Sequence, residues 1–168
     1  MAELWDAYDC NFNKIDKVTF VREGNEPTSV IPDGMYHLVS EIIVKHTDGT
    51  YLLMRRDFKK KYGGTWELTA GGSVLKGENA YEGAVRELKE ETGIVSDSLQ
   101  EIGRVVRDIQ HALYAIYLCI TDCDKNSIIL QDGETIDYRW IDRETMLEMS
   151  EDELISKRQI ELIKKYNL

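Results

Sequence analysis

Proline, cysteine, positive charge and long apolar runs are all scarce in this chain of 168 residues, and each scarcity removes a class of answer. The three cysteines, Cys10, Cys119 and Cys123, are too few and too irregular for a disulfide framework. The stretch "CITDC" has no second ligand pair at a metal-binding spacing, which argues against a structural zinc. No apolar run approaches the roughly 18 residues that cross a membrane. The opening "MAELWDAYDCNFNKIDK" scatters charges through itself and lacks an apolar core of signal-peptide length, so the expected compartment is cytoplasmic. Lys and Arg total 21 against 31 Asp and Glu, a net charge of −10. That balance disfavours a broad nucleic-acid surface, which must neutralise phosphates with basic side chains. The excess acid reads either as a device for solubility alone or as compatible with an anionic small molecule where a metal cation mediates.

What is present reads as one domain over residues 1–168, without repeats, low-complexity segments or a linker. "KVTFVREG" (Lys17–Gly24) is an expected strand, and "NEPTSVIPDG" (Asn25–Gly34) is a loop holding both prolines. Residues Tyr36–Asp57 form two β-rich runs around the turn signal "TDGT", a predicted hairpin. "FKKKYGG" is a basic loop, followed by the short strand "TWELTAGG". Glu78–Thr92 has helical periodicity and is closed by Gly93. "LQEIGRVVRDI", "HALYAIYLCIT" and "DYRWID" are three further strands, and residues 143–166 supply one or two closing helices. Strands and helices alternate irregularly, which predicts an α/β fold with a mixed sheet packed between helices.

The segment "GGSVLKGENAYEGAVRELKEETGI" (Gly71–Ile94) raises a physical question. At about 100° per residue, Glu87, Glu90 and Glu91 fall on one face of the helix, and Tyr81, Ala84, Val85 and Leu88 form an apolar stripe beside it. Each like-charge pair at about 5 Å costs roughly 3 kcal/mol at an effective dielectric of about 20. Either the carboxylates splay into water, as on most Glu-rich helix faces, or a cation sits among them. Carboxylate oxygens are hard ligands suited to Mg²⁺ or Mn²⁺, which take a few carboxylates together with waters and substrate phosphates. The Gly71-Gly72 pair lets backbone approach closely enough to offer another oxygen. Arg86, four residues before Glu90, is within reach of it.

The spacing is specific: Gly72, five residues, Glu78, seven residues, Arg86-Glu87-Leu88, one residue, Glu90-Glu91, one residue, Gly93-Ile94. It matches every fixed position of the Nudix box, and "TWELTAGG" and "YRWID" also resemble that family. The likeness runs from Tyr36 to about Asp142. It implies a Nudix α/β/α sandwich that cleaves the pyrophosphate of a nucleoside diphosphate derivative with Mg²⁺, or alternatively Mn²⁺. Carried over by position, the implied metal ligands are Glu87, Glu90, Glu91 and a backbone oxygen of Gly71 or Gly72. Arg86 orients the carboxylates, Glu78 supports the metal-bound water or the loop, and Glu90 joins them among the catalytic residues.

Beyond the box, Glu134 in "QDGETIDYRW" stands where many family members place a late-loop acid, a candidate general base beside the alternative of a loop residue without a role. Arg55, Arg56 and Lys59, with Lys60 and Lys61, are candidates to bind substrate phosphates or form a solvated loop. His111 is expected to start a strand, and Trp66 and Trp140 to be core. The expected partner is a small molecule, with nucleic acid disfavoured, no membrane, and a homodimer compatible with the sequence.

Two other readings stay open. "LWDAYD", "YHLVSEIIV" and "YLLMRRD" look like the isopentenyl-diphosphate isomerase branch of the superfamily, whose enzymes carry a catalytic cysteine and a metal-binding histidine at the glycine pair. Gly71 and Ser73 occupy those positions here. A Nudix fold can also serve as a ligand-sensing module without catalysis. Signatures of ADP-ribose, diadenosine-polyphosphate and coenzyme A hydrolases are unmatched, so the nucleoside diphosphate derivative is unspecified.

Overall fold

The computed structural model describes residues 2–23, 26–27, 30–150, 152–154 and 158–168. Three strands, β1 (Glu3–Tyr8), β2 (Lys14–Glu23) and β3 (Glu26–Pro27), make a small antiparallel sheet in the order β1-β2-β3. The main sheet contains β4 (His37–His46), β5 (Tyr51–Arg56), β6 (Trp66–Glu67), β7 (Thr69–Ser73), β8 (Leu99–Arg107), β9 (Ala112–Thr121) and β10 (Thr135–Ile141). Its path is β10-β5-β4-β9-β8, with β6 beside β5 and β7 beside β4. The β4–β9 pair is parallel over its full length, His37↔Ala112 to His46↔Thr121, whereas the other pairs are antiparallel. The helices are α1 (Ala80–Thr92), α2 (Arg143–Glu148) and α3 (Arg158–Tyr166).

Side chains along a strand point alternately to opposite faces, so a sheet covered on both sides needs apolar residues at consecutive positions. "EIIV" and "YLLM" meet that need. Ile42, Val44, Leu52 and Met54 pack with Ala84 and Leu88 of α1. Ile43, Tyr51 and Leu53 pack on the other face with Met146 of α2 and with Ile160 and Ile163 of α3. The result is the expected α/β/α sandwich with a mixed sheet.

The predicted hairpin closes as expected at its turn, where β4 and β5 pair at Lys45↔Tyr51, but the strands then part. Beyond the turn β4 gives its edge to β7, from Ile43↔Thr69 to Val39↔Ser73, and β5 pairs with β10 and β6. This splay places Gly71 and Gly72 against the middle of β4.

The helix starts later than its periodicity suggests. Asn79 is the N-cap and accepts from the Glu82 amide at 3.0 Å, while the Glu82 carboxylate accepts from the Asn79 amide at 2.8 Å. That reciprocal box satisfies two amides that a helix start leaves open, so Glu78 lies just outside the helix. Gly93 ends α1 in the left-handed region, φ 75°, with its amide donating to the Lys89 carbonyl.

The β1–β2 hairpin exceeds the single strand expected at Lys17–Gly24. Alternation is hidden in β1 because Trp5, Asp6, Ala7 and Tyr8 are all buried. Asp6 tolerates burial by accepting from Lys14 at 2.6 Å and from the Gly77 amide at 2.9 Å, which pins the hairpin to the loop before α1. The Lys76 amide donates to the Leu4 carbonyl in the same place. His111 lies in the turn before β9 at φ 48° rather than in the strand.

Candidate active site

Strand β7 carries the glycine pair to the foot of α1, and each glycine is required for a different reason. A Cβ on Gly71 would run into the Ser40 carbonyl oxygen of β4. A Cβ on Gly72 would instead lie 2.5 Å from Glu87 Oε1, because that carboxylate rests directly over the Gly72 backbone. From the next turn of α1, Glu91 Oε2 accepts the Gly71 amide at 2.9 Å. The helix therefore lays two carboxylates onto the glycine pair.

The three carboxylates share a face as the periodicity predicts, but at graded depth: Glu90 is exposed, Glu87 is half-buried and Glu91 is buried at 9% exposure. Burial pushes the Glu91 carboxyl well above its ordinary value, opposed by the Gly71 amide and reinforced by the charges of Glu87, Glu67 and Glu134. Burial also raises Glu87, against the pull of Arg86.

Arg86 organises the group. Its Nε and Nη2 donate to the two oxygens of Glu78 at 2.9 and 3.0 Å, and Nη1 donates to Glu87 at 2.7 Å and to Glu90 at 3.2 Å. Nη2 also donates to the Ser73 carbonyl at 3.0 Å, tying the helix to the end of β7. Burial disfavours the charged guanidinium, but the hydrogen bonds to Glu78 and Glu87 overcome it and hold its pKa above the ordinary value. For Glu78 the same contest ends in a lowered pKa, burial losing to Arg86 and the Leu75 amide. Glu78 thus faces Arg86 and does not line the cleft.

The cleft over these groups has a volume of about 420 Å³. Its far wall comes from outside the box: Arg56 and Lys60 from the end of β5 and the following loop, and Glu134 with Gln131 from the loop before β10. Lys60 forms an ion pair with Glu134, and Arg56 with Glu67. Glu3 and Arg22, paired at 3.3 Å, bring the N-terminal hairpin to the rim.

Arg55 and Lys59 are placed elsewhere. Arg55 lies against the rings of Phe58 and Trp66 and donates to the Gly64 carbonyl at 3.1 Å, so it braces the basic loop. Lys59 is exposed, with its amide closing a turn onto Asp57, and it does not line the cleft. Trp66 and Trp140 are both partly buried against the two cores. Sequence reasoning missed Glu67, Glu41 and the Glu3–Arg22 pair. Glu67, in "TWEL", carried a usable signal, since a carboxylate in an otherwise apolar short strand needs a partner.

Among the described residues no three His, Cys, Asp or Glu side chains converge on a common point. The donor set nevertheless fits a divalent cation. It offers carboxylate and backbone oxygens, the glycine pair leaves room for close approach, and the buried negative charge around Glu91 is what a hard cation would neutralise.

Residues 35–164 match the NUDIX domain family model. The chain belongs to the Nudix family. An uncharacterized Nudix hydrolase of Listeria innocua is 27% identical over 145 residues, 86% of this chain and 82% of that one. Among solved structures, the MutT protein of Methanosarcina mazei aligns with a TM-score of 0.66 at 25% identity, covering 79% of this chain and 93% of that one. The NUDIX domain of NrtR from Shewanella oneidensis, solved with ADP ribose, aligns with a TM-score of 0.63 at 18% identity over 79% and 89% of the two chains. Nudix membership makes this chain a pyrophosphohydrolase by class. No helix among the described residues is long and apolar enough to cross a membrane.

Proposed function

We propose that this Nudix protein hydrolyses the pyrophosphate linkage of a small-molecule nucleoside diphosphate derivative in a Mg²⁺-dependent reaction, with Mn²⁺ as the alternative ion. One observation carries the proposal: α1 lays the carboxylates of Glu87 and Glu91 on the Gly71-Gly72 backbone, inside a cleft whose opposite wall includes Arg56 and Lys60. Glu87, Glu91 and a backbone oxygen of Gly71 or Gly72 would hold the ion, with exposed Glu90 completing the set. When bound, a divalent ion supplies charge neutralisation at the diphosphate and lowers the pKa of water.

The protein's own groups do the rest. Arg86 positions the carboxylates by bonding Glu78 on one side and Glu87 and Glu90 on the other. Arg56 and Lys60 present donors to phosphoryl oxygens across the cleft. Glu134, paired with Lys60, offers a proton-accepting oxygen at the same wall. Such an enzyme works on soluble metabolites, in keeping with the cytoplasmic compartment read from the sequence.

The test is a panel of nucleoside diphosphate compounds incubated with and without Mg²⁺ and resolved by chromatography. The expected outcome is metal-dependent release of a nucleoside monophosphate and a second phosphorylated product from one class of compound. Metal-independent turnover across the panel would contradict the proposal.

A further inference from the structure

A second cavity, of about 520 Å³, opens beside the first, and the two share Val39, Arg56 and Gly71. Its lining has the opposite character: four cationic side chains, Arg56, Lys61, Arg107 and Arg158, face two carboxylates, Glu41 and Glu67. The acids are engaged. Glu41 binds Arg158 through one oxygen and Gln159 at 3.4 Å through the other, and Glu67 binds Arg56. Lys61 and Arg107 form no ion pair with an acid among the described residues, and both are exposed to the cavity mouth. In a protein of net charge −10 this is a local reversal of sign.

Shape and aromatic content narrow the ligand. A nucleobase needs an open ring face to stack on, but the guanidinium of Arg158 already covers Tyr114 at 4.2 Å. Tyr62, 60% exposed, stands at the rim with Lys61 over its ring at 5.4 Å. Apolar surface is correspondingly small, while cations dominate. A phosphate monoester carries a charge near −2 and three acceptor oxygens, which matches the two cations that hold no acid in a close ion pair.

We infer that this second arm binds a phosphate monoester carried on the half of the substrate that lies beyond the scissile diphosphate. The substrate class is then a diphosphate compound bearing one further terminal phosphate, with Lys61 and Arg107 as its specificity-determining residues. This inference rests on the hydrolase reading above for its orientation, through the shared Gly71.

Two commercial substrate pairs differ only by one phosphomonoester: NADP⁺ and NAD⁺, and coenzyme A and dephospho-coenzyme A. For the wild-type protein with Mg²⁺, kcat/KM should favour the phosphorylated member of at least one pair by tenfold or more. In the Lys61→Ala/Arg107→Ala variant that ratio should collapse toward one. Ratios near one in both pairs for the wild type, or a ratio that survives in the variant, overturn the inference. Calorimetric binding of adenosine 2′,5′-bisphosphate and of adenosine 3′,5′-bisphosphate, each against adenosine 5′-monophosphate, reads the subsite without chemistry. Preferential binding of either bisphosphate, lost in the double variant, supports the subsite even where no pair is hydrolysed, in which case it is cleavage of these compounds that fails. Equal binding of both bisphosphates and the monophosphate overturns it.

Discussion

Adjacent glycines in β7 do unlike things, and substitution separates them. Gly71→Ala drives a methyl into the Ser40 backbone oxygen, which has no flexible end to yield. Its expected effect is a loss of several kcal/mol, on the order of other buried overpacking changes, seen as a large drop in melting temperature. Gly72→Ala meets the mobile end of Glu87 instead. That variant should fold with a melting temperature within a few degrees of wild type while losing at least about tenfold in kcat/KM, because the carboxylate is displaced. Equal stability losses in the two variants would contradict the geometry.

His37 offers a residue-scale test of a different kind. Its ring stacks on Trp5 at 4.6 Å, and its Nδ1 lies 3.0 Å from the His111 carbonyl oxygen. Burial lowers its pKa from 6.5 to about 4. Between those values the unfolded chain binds a proton that the folded chain refuses. The stabilisation is therefore complete above about pH 6.5 and is lost as pH falls toward 4, by up to about 3 kcal/mol. Urea unfolding at pH 7 and pH 5 should show a steeper loss for wild type than for His37→Asn, and identical slopes would contradict it.

At the scale of elements, α1 is both a core helix and the carrier of the site. Leu88 and Ala84 are fully buried against the sheet, and this burial fixes where Glu87 and Glu91 point. Asn79→Ala removes the reciprocal cap and should cost about 1 kcal/mol in chemical denaturation. Because the turns carrying Glu87 and Glu91 lie two turns further along the helix, kcat of the folded variant should stay within about twofold of wild type. A large loss of kcat would mean that the helix start also shapes the cleft.

The same element shows what the sequence makes legible. Helical period, the closing glycine and the shared face of three carboxylates are local properties, written within 24 residues, and all three appear in the structure. Depth is not local: Glu90 and Glu91 are neighbours in the chain, yet one is exposed and the other buried, because β7 covers only one side of the helix. The parting of β4 from β5 was equally hidden, since it depends on β7 competing for the edge of β4. Arg55 and Arg56 looked equivalent in "LMRRD". Strand alternation sends one to Phe58 and Trp66 and the other to the cleft, and only the register with β6 and β10 decides which. The β1–β2 hairpin was partly unread because burial on both sides erased its alternation.

For the whole molecule, the acidic total conceals two arms of opposite character that meet at Gly71. The carboxylates of the first arm come from one helix, and the wall opposite them combines the cations Arg56 and Lys60, from the end of β5 and its following loop, with Glu134 and Gln131 from the loop before β10. On the proposed reading, a divalent ion held by these carboxylates would offset the acidic side of the cleft for an anionic substrate in a chain of net charge −10. Glu91, buried on the Gly71 amide, is the residue proposed to serve metal-dependent hydrolysis. The most direct measurement is hydrolysis of the best panel substrate across a Mg²⁺ titration, for wild type and Glu91→Gln side by side, with circular dichroism confirming the fold of each. Saturable Mg²⁺ activation is expected in the wild type, with a loss of at least about 100-fold in kcat in the variant and an unchanged spectrum. Near-normal, Mg²⁺-dependent turnover by a folded Glu91→Gln protein would contradict that role.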